Sequence, residues 1–135
     1  MIHLDSNVAI ALLNARPPIV RVKFDAARAE GQPLFMSSIV LHELLFGAAA
    51  SLRRVDNERK ITALVASGIE LLPFDDQDAG HAGDIRAHLK RLGAPIGPYD
   101  ALIAAQARRR GATLVTANGR EFSRVPGLNV TDWAA

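Results

Sequence analysis

The sequence contains no cysteine, a single Trp and a single Tyr, and no long uninterrupted apolar run. The absence of cysteine excludes a disulfide scaffold, a thiolate metal site and a cysteine nucleophile, and it fits a reducing compartment. No segment reaches the roughly 18 apolar residues of a membrane helix, and the N-terminus lacks the pattern of a signal peptide. We therefore expect a cytoplasmic protein that does not associate with membranes.

The composition is that of a folded chain of moderate size. Hydrophobic residues make up 49% of the 135 residues and charged residues 22%, which excludes a disordered chain. No repeat or linker-like stretch divides the sequence, so we predict a single domain spanning residues 1–135. The net charge of +2 permits a nucleic-acid partner but is too small to indicate one.

Short apolar segments alternate with longer segments of helical periodicity. The predicted strands are Ile2–Leu4, Pro33–Met36, Ile69–Phe74, Ala112–Thr116 and Leu128–Thr131, and the longest predicted helices are Ile39–Ser51, Asn57–Ala66, Asp76–Leu92 and Pro98–Arg110. This alternation predicts an α/β fold with a central, mainly parallel β-sheet flanked by helices on both faces. Ligands of such folds bind beyond the C-terminal ends of the strands, where the strand order switches.

Acidic residues occupy positions that map to this edge of the predicted sheet. Asp5 follows the first strand, Asp100 lies in the first turn of a helix, and Glu121 follows the fourth strand. Glu43 lies on an apolar helix face, where a lone carboxylate would be costly to bury. Clustered carboxylates raise each other's pKa, and a cation would neutralise them. Because the ligands are hard oxygens without cysteine, we expect Mg²⁺ or Mn²⁺ and a site suited to phosphodiester hydrolysis.

Each of these acids also has a purely structural interpretation. Asp5 can cap a helix, and Asp100 can complement a helix dipole. Glu43 can be a partly exposed helix residue and Glu121 a solvated one. A functional site is favoured only because all four positions are consistent with one crevice at the C-terminal edge of the predicted sheet.

Four segments resemble, in order, the motifs of PIN domains of the VapC toxin type. They are Ile2–Val8, Ser37–Gly47, Ile96–Ala105 and Thr116–Phe122, the last followed by Val125–Leu128 and Asp132-Trp133. The resemblance covers essentially the whole chain. It implies a PIN fold and an endoribonuclease that depends on Mg²⁺, for which Mn²⁺ can substitute. It also implies a VapB-type antitoxin as partner, a homodimer, and binding to promoter DNA only through the antitoxin.

The resemblance also assigns roles to individual residues. Asp5, Glu43 and Asp100 are the expected metal ligands and catalytic acids, with Glu121 as a further catalytic acid. The expected supporting polar residues are Ser6, Asn7, Thr116 and Asn118. The sequence departs from the family pattern at Asn118, where many relatives carry Asp, and we therefore expect one tightly held ion. A metal-activated water would attack the RNA phosphate and leave a 5′-phosphate and a 3′-hydroxyl.

Contacts to the RNA are harder to assign from sequence. Arg120 lies inside a motif and is the predicted phosphate-binding residue, whereas we expect the other basic residues, including Arg108–Arg110, to form solvated helix faces. The few aromatic residues indicate no stacking platform for bases.

Two further interpretations remain open. The first is a catalytically silent PIN-like domain that acts as a protein-binding module, and the second is a phosphatase. The stretch His42–Phe46 begins like a zinc-protease helix, but Phe46 stands where the second His is required, so we reject that class.

Overall fold

The central sheet has five strands, all parallel, in a computed structural model that describes residues 1–135. The strands are β1 (Ile2–Leu4), β2 (Leu34–Ser37), β3 (Ile69–Leu72), β4 (Thr113–Val115) and β5 (Asn129–Thr131). Their order across the sheet is β3-β2-β1-β4-β5. The predicted α/β class and parallel sheet are therefore confirmed. The third strand is shorter than predicted, because Pro73 follows Leu72 and has no N–H to donate to the ladder.

Seven helices connect these strands. They are α1 (Ser6–Asn14), α2 (Pro18–Ala29), α3 (Ser38–Ala49), α4 (Arg54–Val65), α5 (Asp76–Arg91), α6 (Pro98–Arg109) and α7 (Gly119–Phe122). Helix α4 begins three residues before the predicted start, and Arg54 pairs with Glu58 across its first turn. The short helix α7 was not predicted, because Asn118-Gly119 has the composition of a turn.

The strand order reverses beside β1. The chain passes from β1 to β2 and β3 on one side, then crosses to β4 and β5 on the other. Because parallel crossovers are right-handed, helices α1–α4 cover one face of the sheet and α5–α7 cover the other. The point between β1 and β4 is thus the switch point at which parallel α/β sheets bind ligands.

The hydrophobic core is one cluster of 28 buried residues that joins the sheet to both helical layers. Helix α6 contributes Ile103 and four fully buried alanines, Ala101, Ala104, Ala105 and Ala107. Such small side chains allow the helix backbone to lie close to its neighbours, so the start of α6 is fixed firmly against the sheet. None of the seven helices combines the length and apolar character needed to cross a bilayer.

Candidate active site

Asp5 lies at the switch point, directly after β1. Its side chain is 2% exposed. One carboxylate oxygen, Oδ1, accepts the Ser6 N–H at 2.8 Å, and the other, Oδ2, accepts the Thr116 hydroxyl at 2.7 Å. Burial raises the pKa of Asp5, and these hydrogen bonds oppose the shift because they favour the ionised form. Asp5 therefore caps α1, and two hydrogen bonds fix its carboxylate at the edge of the sheet.

Thr116 fixes the position of Asp5 from the neighbouring strand. The register that pairs Leu4 with Val115 brings the two residues together just beyond the ends of β1 and β4. Besides donating to Asp5, the Thr116 hydroxyl accepts the Asn118 N–H at 3.0 Å and the Asn7 side-chain amide at 3.4 Å. A hydroxyl has one donor and two acceptor positions, so Thr116 is saturated within the protein.

Glu43 approaches the same point from α3. Its Oε1 is buried and has no hydrogen-bond partner. Burial raises the pKa of Glu43, and the charge of Asp5 raises it further. A buried, unpartnered carboxylate oxygen is costly to retain, and a cation bound beside it would offset that cost.

Asp100 joins the cluster from the first turn of α6. Its pKa is raised to about 6, first by burial and then by the charges of Asp5, Glu121 and Glu43. Asp100 therefore lies within electrostatic range of the three other acids. The structure thus brings together the acidic residues that the sequence analysis singled out.

Glu121 connects α7 to the start of α6. Its Oε1 accepts the Gly97 N–H at 3.0 Å, and its Oε2 accepts the side-chain amide of Asn118. Gly97 itself leaves room for the cluster, since a Cβ there would lie 3.2 Å from Asp100 Oδ2. Glu121 therefore holds the segment that positions Asp100, and its role as a catalytic acid stays a prediction.

The donor set suits a hard cation. It consists of carboxylate oxygens, one of them buried without a partner, and three of the four acids have raised pKa values that a positive charge would lower. As the side chains stand, no three acidic or histidine residues are close enough together to hold a metal ion. The chemistry of the residues fits Mg²⁺ or Mn²⁺, and the carboxylates would have to draw inward around it.

Comparison with known proteins identifies the family. The PIN domain family matches residues 2–128. The tRNA(fMet)-specific endonuclease VapC of Salmonella typhimurium is 41% identical over 130 residues, which is 96% of either chain. Ribonuclease VapC2 of Rickettsia felis is 33% identical over 130 residues, again 96% of either chain. The chain belongs to the PIN-domain family, among the VapC proteins.

Solved structures agree with this assignment of the PIN domain. DNA-bound VapBC from Salmonella typhimurium matches with a TM-score of 0.90 and 39% identity, covering 98% of this chain and 97% of that one. VapBC2 from Rickettsia felis, bound to a DNA fragment from its promoter, matches with a TM-score of 0.91 and 32% identity, covering 98% and 99%. The PIN fold predicted from the four motifs is therefore confirmed.

Two of the basic residues expected on a solvated face instead belong to a structural network of this PIN domain. Arg109 and Arg110 bind Asp78 Oδ1 at 2.7 and 3.1 Å, and Asp78 is fully buried. Burial alone would raise the pKa of Asp78, but the Asp75 N–H and the two arginines outweigh it and hold the pKa below its usual range. The expectation of a solvated face was wrong for these residues, because their partners are remote in sequence. Arg120 is exposed on α7 and has no acidic partner within 4.0 Å.

The PIN domain also carries an aromatic pair that the sequence analysis missed. The rings of His42 and Tyr99 meet edge to face, with centroids 5.6 Å apart. Both residues are exposed, and each directly precedes an acid of the cluster, His42 before Glu43 and Tyr99 before Asp100. The position of each aromatic residue directly before a predicted acid was the signal in the sequence that could have revealed this pair. An edge-to-face pair is not a stacking platform for bases, so the absence of such a platform stays a prediction.

Proposed function

We propose that this PIN-domain protein is a metal-dependent endoribonuclease of the cytoplasm and the toxin of a toxin–antitoxin pair. The observation that carries the proposal is the burial of Asp5 beside Glu43 and Asp100. Burial raises the pKa of all three, and the charge of Asp5 raises those of Glu43 and Asp100 further. Buried carboxylates of this kind lower folding stability unless a cation joins them. The ribonuclease names of relatives that span nearly the whole chain support the same chemistry.

The proposed ligands of the ion are Asp5, Glu43 and Asp100, with Mg²⁺ as the metal and Mn²⁺ as a substitute. When bound, such an ion polarises a phosphate oxygen and lowers the pKa of a water molecule. We propose a single ion, because Asn118 carries no charge and both oxygens of Glu121 already accept hydrogen bonds.

The protein's own residues position the reaction. The Thr116 hydroxyl and the Ser6 N–H favour the ionised form of Asp5 and hold its carboxylate in one orientation. The free oxygen of Glu43 is available to accept a hydrogen bond from the attacking water. Asn7 and Asn118 fix Thr116, and Glu121 fixes the start of α6, as the proposed supporting roles require. Arg120 is the proposed contact to an RNA phosphate, and attack by water would leave a 5′-phosphate and a 3′-hydroxyl.

A VapB-type antitoxin is the proposed partner. The similar structures from Salmonella typhimurium and Rickettsia felis are VapBC assemblies bound to DNA, and we propose that this chain reaches promoter DNA only through its antitoxin and forms a homodimer. A groove of about 260 Å³ between α1, α3 and α4 is lined mainly by apolar residues. Ile10, Leu45 and Phe46 are exposed on α1 and α3, and an amphipathic antitoxin helix would cover such a surface.

The test is cleavage of a panel of structured RNAs by antitoxin-free protein with Mg²⁺, with Mn²⁺ and with EDTA. Asp100→Asn is the matched control, since it removes one charge and keeps the side-chain shape. We expect cleavage only by the wild type with metal, and products that end in 5′-phosphate. Products with a 2′,3′-cyclic phosphate would contradict the water mechanism. A folded protein that cleaves nothing and gains no thermal stability from Mg²⁺ would favour the silent binding module instead.

A further inference from the structure

A cleft of about 530 Å³ lies between α5 and the segment that leads into α6. One wall is a face of α5 with Gly83, Arg86 and Lys90, and the opposite wall includes Ile96 and Pro98. Its volume falls in the range of about 300–1,000 Å³ that is usual for small-ligand sites. The cleft is separate from the acidic cluster, because none of the four acids lines it.

Two cations in the cleft have no protein partner. Arg86 and Lys90 are exposed, lie four residues apart on α5, and make no ion pair within 4.0 Å. By contrast, Arg53, Arg54, Arg109 and Arg110 all pair with carboxylates. Like charges at this helical spacing repel each other. An anion bound between Arg86 and Lys90 would attract both side chains and offset their mutual repulsion.

The opposite wall of the cleft is held in place by α7 and the turn that follows it. Arg124 Nη1 donates to the Pro95 carbonyl at 3.3 Å, and Glu121 accepts the Gly97 N–H at 3.0 Å. Pro95 and Pro98 add backbone stiffness because their φ angles are fixed. The wall is therefore formed before a ligand arrives.

The cleft adjoins the acidic cluster through one helical turn. Pro98 lines the cleft and Asp100 belongs to the cluster, and both lie in the first turn of α6, which rises only about 5.4 Å. Because residues two apart on a helix project from different faces, an RNA strand bound at Asp100 would pass around the N-terminal end of α6 to reach the cleft. The acids repel phosphate where no cation is bound, whereas Arg86 and Lys90 attract it.

We propose that this cleft binds a nucleotide of single-stranded RNA next to the scissile phosphate, with Arg86 and Lys90 holding its phosphate. The proposal rests on the proposed function and adds a substrate subsite to it. The apolar wall of Ile96 and Pro98 offers a surface for sugar or base, and the two cations serve as backbone contacts without reading sequence. The subsite thus positions the RNA strand along the protein without contributing to sequence specificity.

The test is binding of a short fluorescein-labelled single-stranded RNA, followed by anisotropy in EDTA over a series of KCl concentrations. We expect the double variant Arg86→Ala/Lys90→Ala to bind more weakly and to lower the slope of log K against log salt by about 0.7, which corresponds to the one phosphate that the two cations hold. The charge-preserving variant Arg86→Lys/Lys90→Arg should restore the slope. The matched control is Arg53→Ala/Arg54→Ala, which removes the same charge from α4 outside the cleft and should leave the slope unchanged.

The outcomes separate the subsite from the nuclease. Equal losses in the cleft variant and the control would overturn the subsite, because only net charge would then matter. Cleavage with Mg²⁺ at an unchanged KM in the cleft variant would also overturn it and leave the nuclease standing. RNA binding that depends on Arg86 and Lys90 without any cleavage would uphold nucleotide binding in the cleft and overturn the nuclease. A wild type that binds no RNA would overturn both.

Discussion

Replacing Asp100 by Asn distinguishes two roles for this residue. Asp100 either belongs to an acidic cluster that a cation would neutralise, or it only complements the dipole of α6. If Asp100 mainly complements the dipole of α6, its loss should destabilise the protein by about 0.3–1 kcal/mol. If repulsion within the cluster dominates, removing the charge should stabilise the metal-free protein. The two interpretations therefore predict opposite signs for one substitution.

The magnitude follows from the electrostatics of the site. The pKa of Asp100 rises from 3.8 to about 6, and one unit corresponds to about 1.36 kcal/mol. The full shift would amount to about 3 kcal/mol of destabilisation by the ionised group. Solvent screening of this partly exposed side chain and the lost dipole interaction reduce that figure. We expect Asp100→Asn to raise the free energy of unfolding by about 1–2 kcal/mol in EDTA at neutral pH.

The pH dependence has a definite sign. Because the pKa of Asp100 is raised in the folded protein, the folded state keeps its proton where the unfolded chain has lost it. The contribution of Asp100 to the free energy of unfolding of the metal-free wild type should therefore fall as pH rises from 3.8 to about 6, and then level off. The variant lacks this contribution, so its advantage should disappear below pH 3.8.

Urea denaturation of both proteins in EDTA, at several pH values, measures this difference directly. Mg²⁺ should then stabilise the wild type and have much less effect on the variant, which has lost a proposed ligand. A variant less stable than the wild type in EDTA at neutral pH would refute the repulsion argument and favour the helix-dipole role.

Three further predictions concern residues around the site. Asp78→Ala should lower the free energy of unfolding by about 3–5 kcal/mol in urea denaturation, because it leaves two arginines without their buried partner, whereas Asp76→Ala on the exposed face of α5 should change it little. Thr116→Val should cost about 1.5–3 kcal/mol in the same assay, because it removes a hydrogen bond to the Asp5 carboxylate, and kcat should fall as Asp5 loses its orientation. Tyr99→Ala should raise KM for RNA more than it lowers kcat, since an exposed ring beside the cluster can stack on a base. The control variant Tyr99→Phe keeps the ring and should retain the wild-type KM.

Each of these predictions has a contrary outcome. Equal effects at residues 78 and 76 would mean that the buried network contributes no more than a surface charge. An unchanged kcat for Thr116→Val would remove the orienting role, and equal KM values for the Ala and Phe variants at position 99 would remove the stacking role.

The sequence could reveal the acids because each follows a local signal. Asp5 comes directly after a short apolar strand, and Asp100 follows the helix-starting Pro98. Glu43 was recognisable because its helix neighbours are apolar. Periodicity and capping act over a few residues, so they were sufficient for the alternation of strands and helices and for the sheet edge to which these acids map.

Non-local pairing was not readable in the same way. The hydrogen bond from Thr116 to Asp5 depends on the register of β1 against β4, which no local pattern encodes. Asp78 stands in a run with Asp75 and Asp76, and nothing in the run shows that Asp78 alone becomes buried. Its arginine partners lie more than 30 residues away, so the sequence suggested solvated charges where the fold makes a network.

The hydrogen bond between Asp5 and Thr116 spans 111 residues of chain. A ribosome that has reached Ala112 has already made three of the four acids, yet β1 still lacks its neighbour β4 and Asp5 lacks its hydroxyl donor. The site therefore cannot assemble on the nascent chain until β4 and Thr116 have emerged from the ribosome. A nuclease made among the RNAs of its own cell would thus leave the ribosomal tunnel with its first three acids still unassembled.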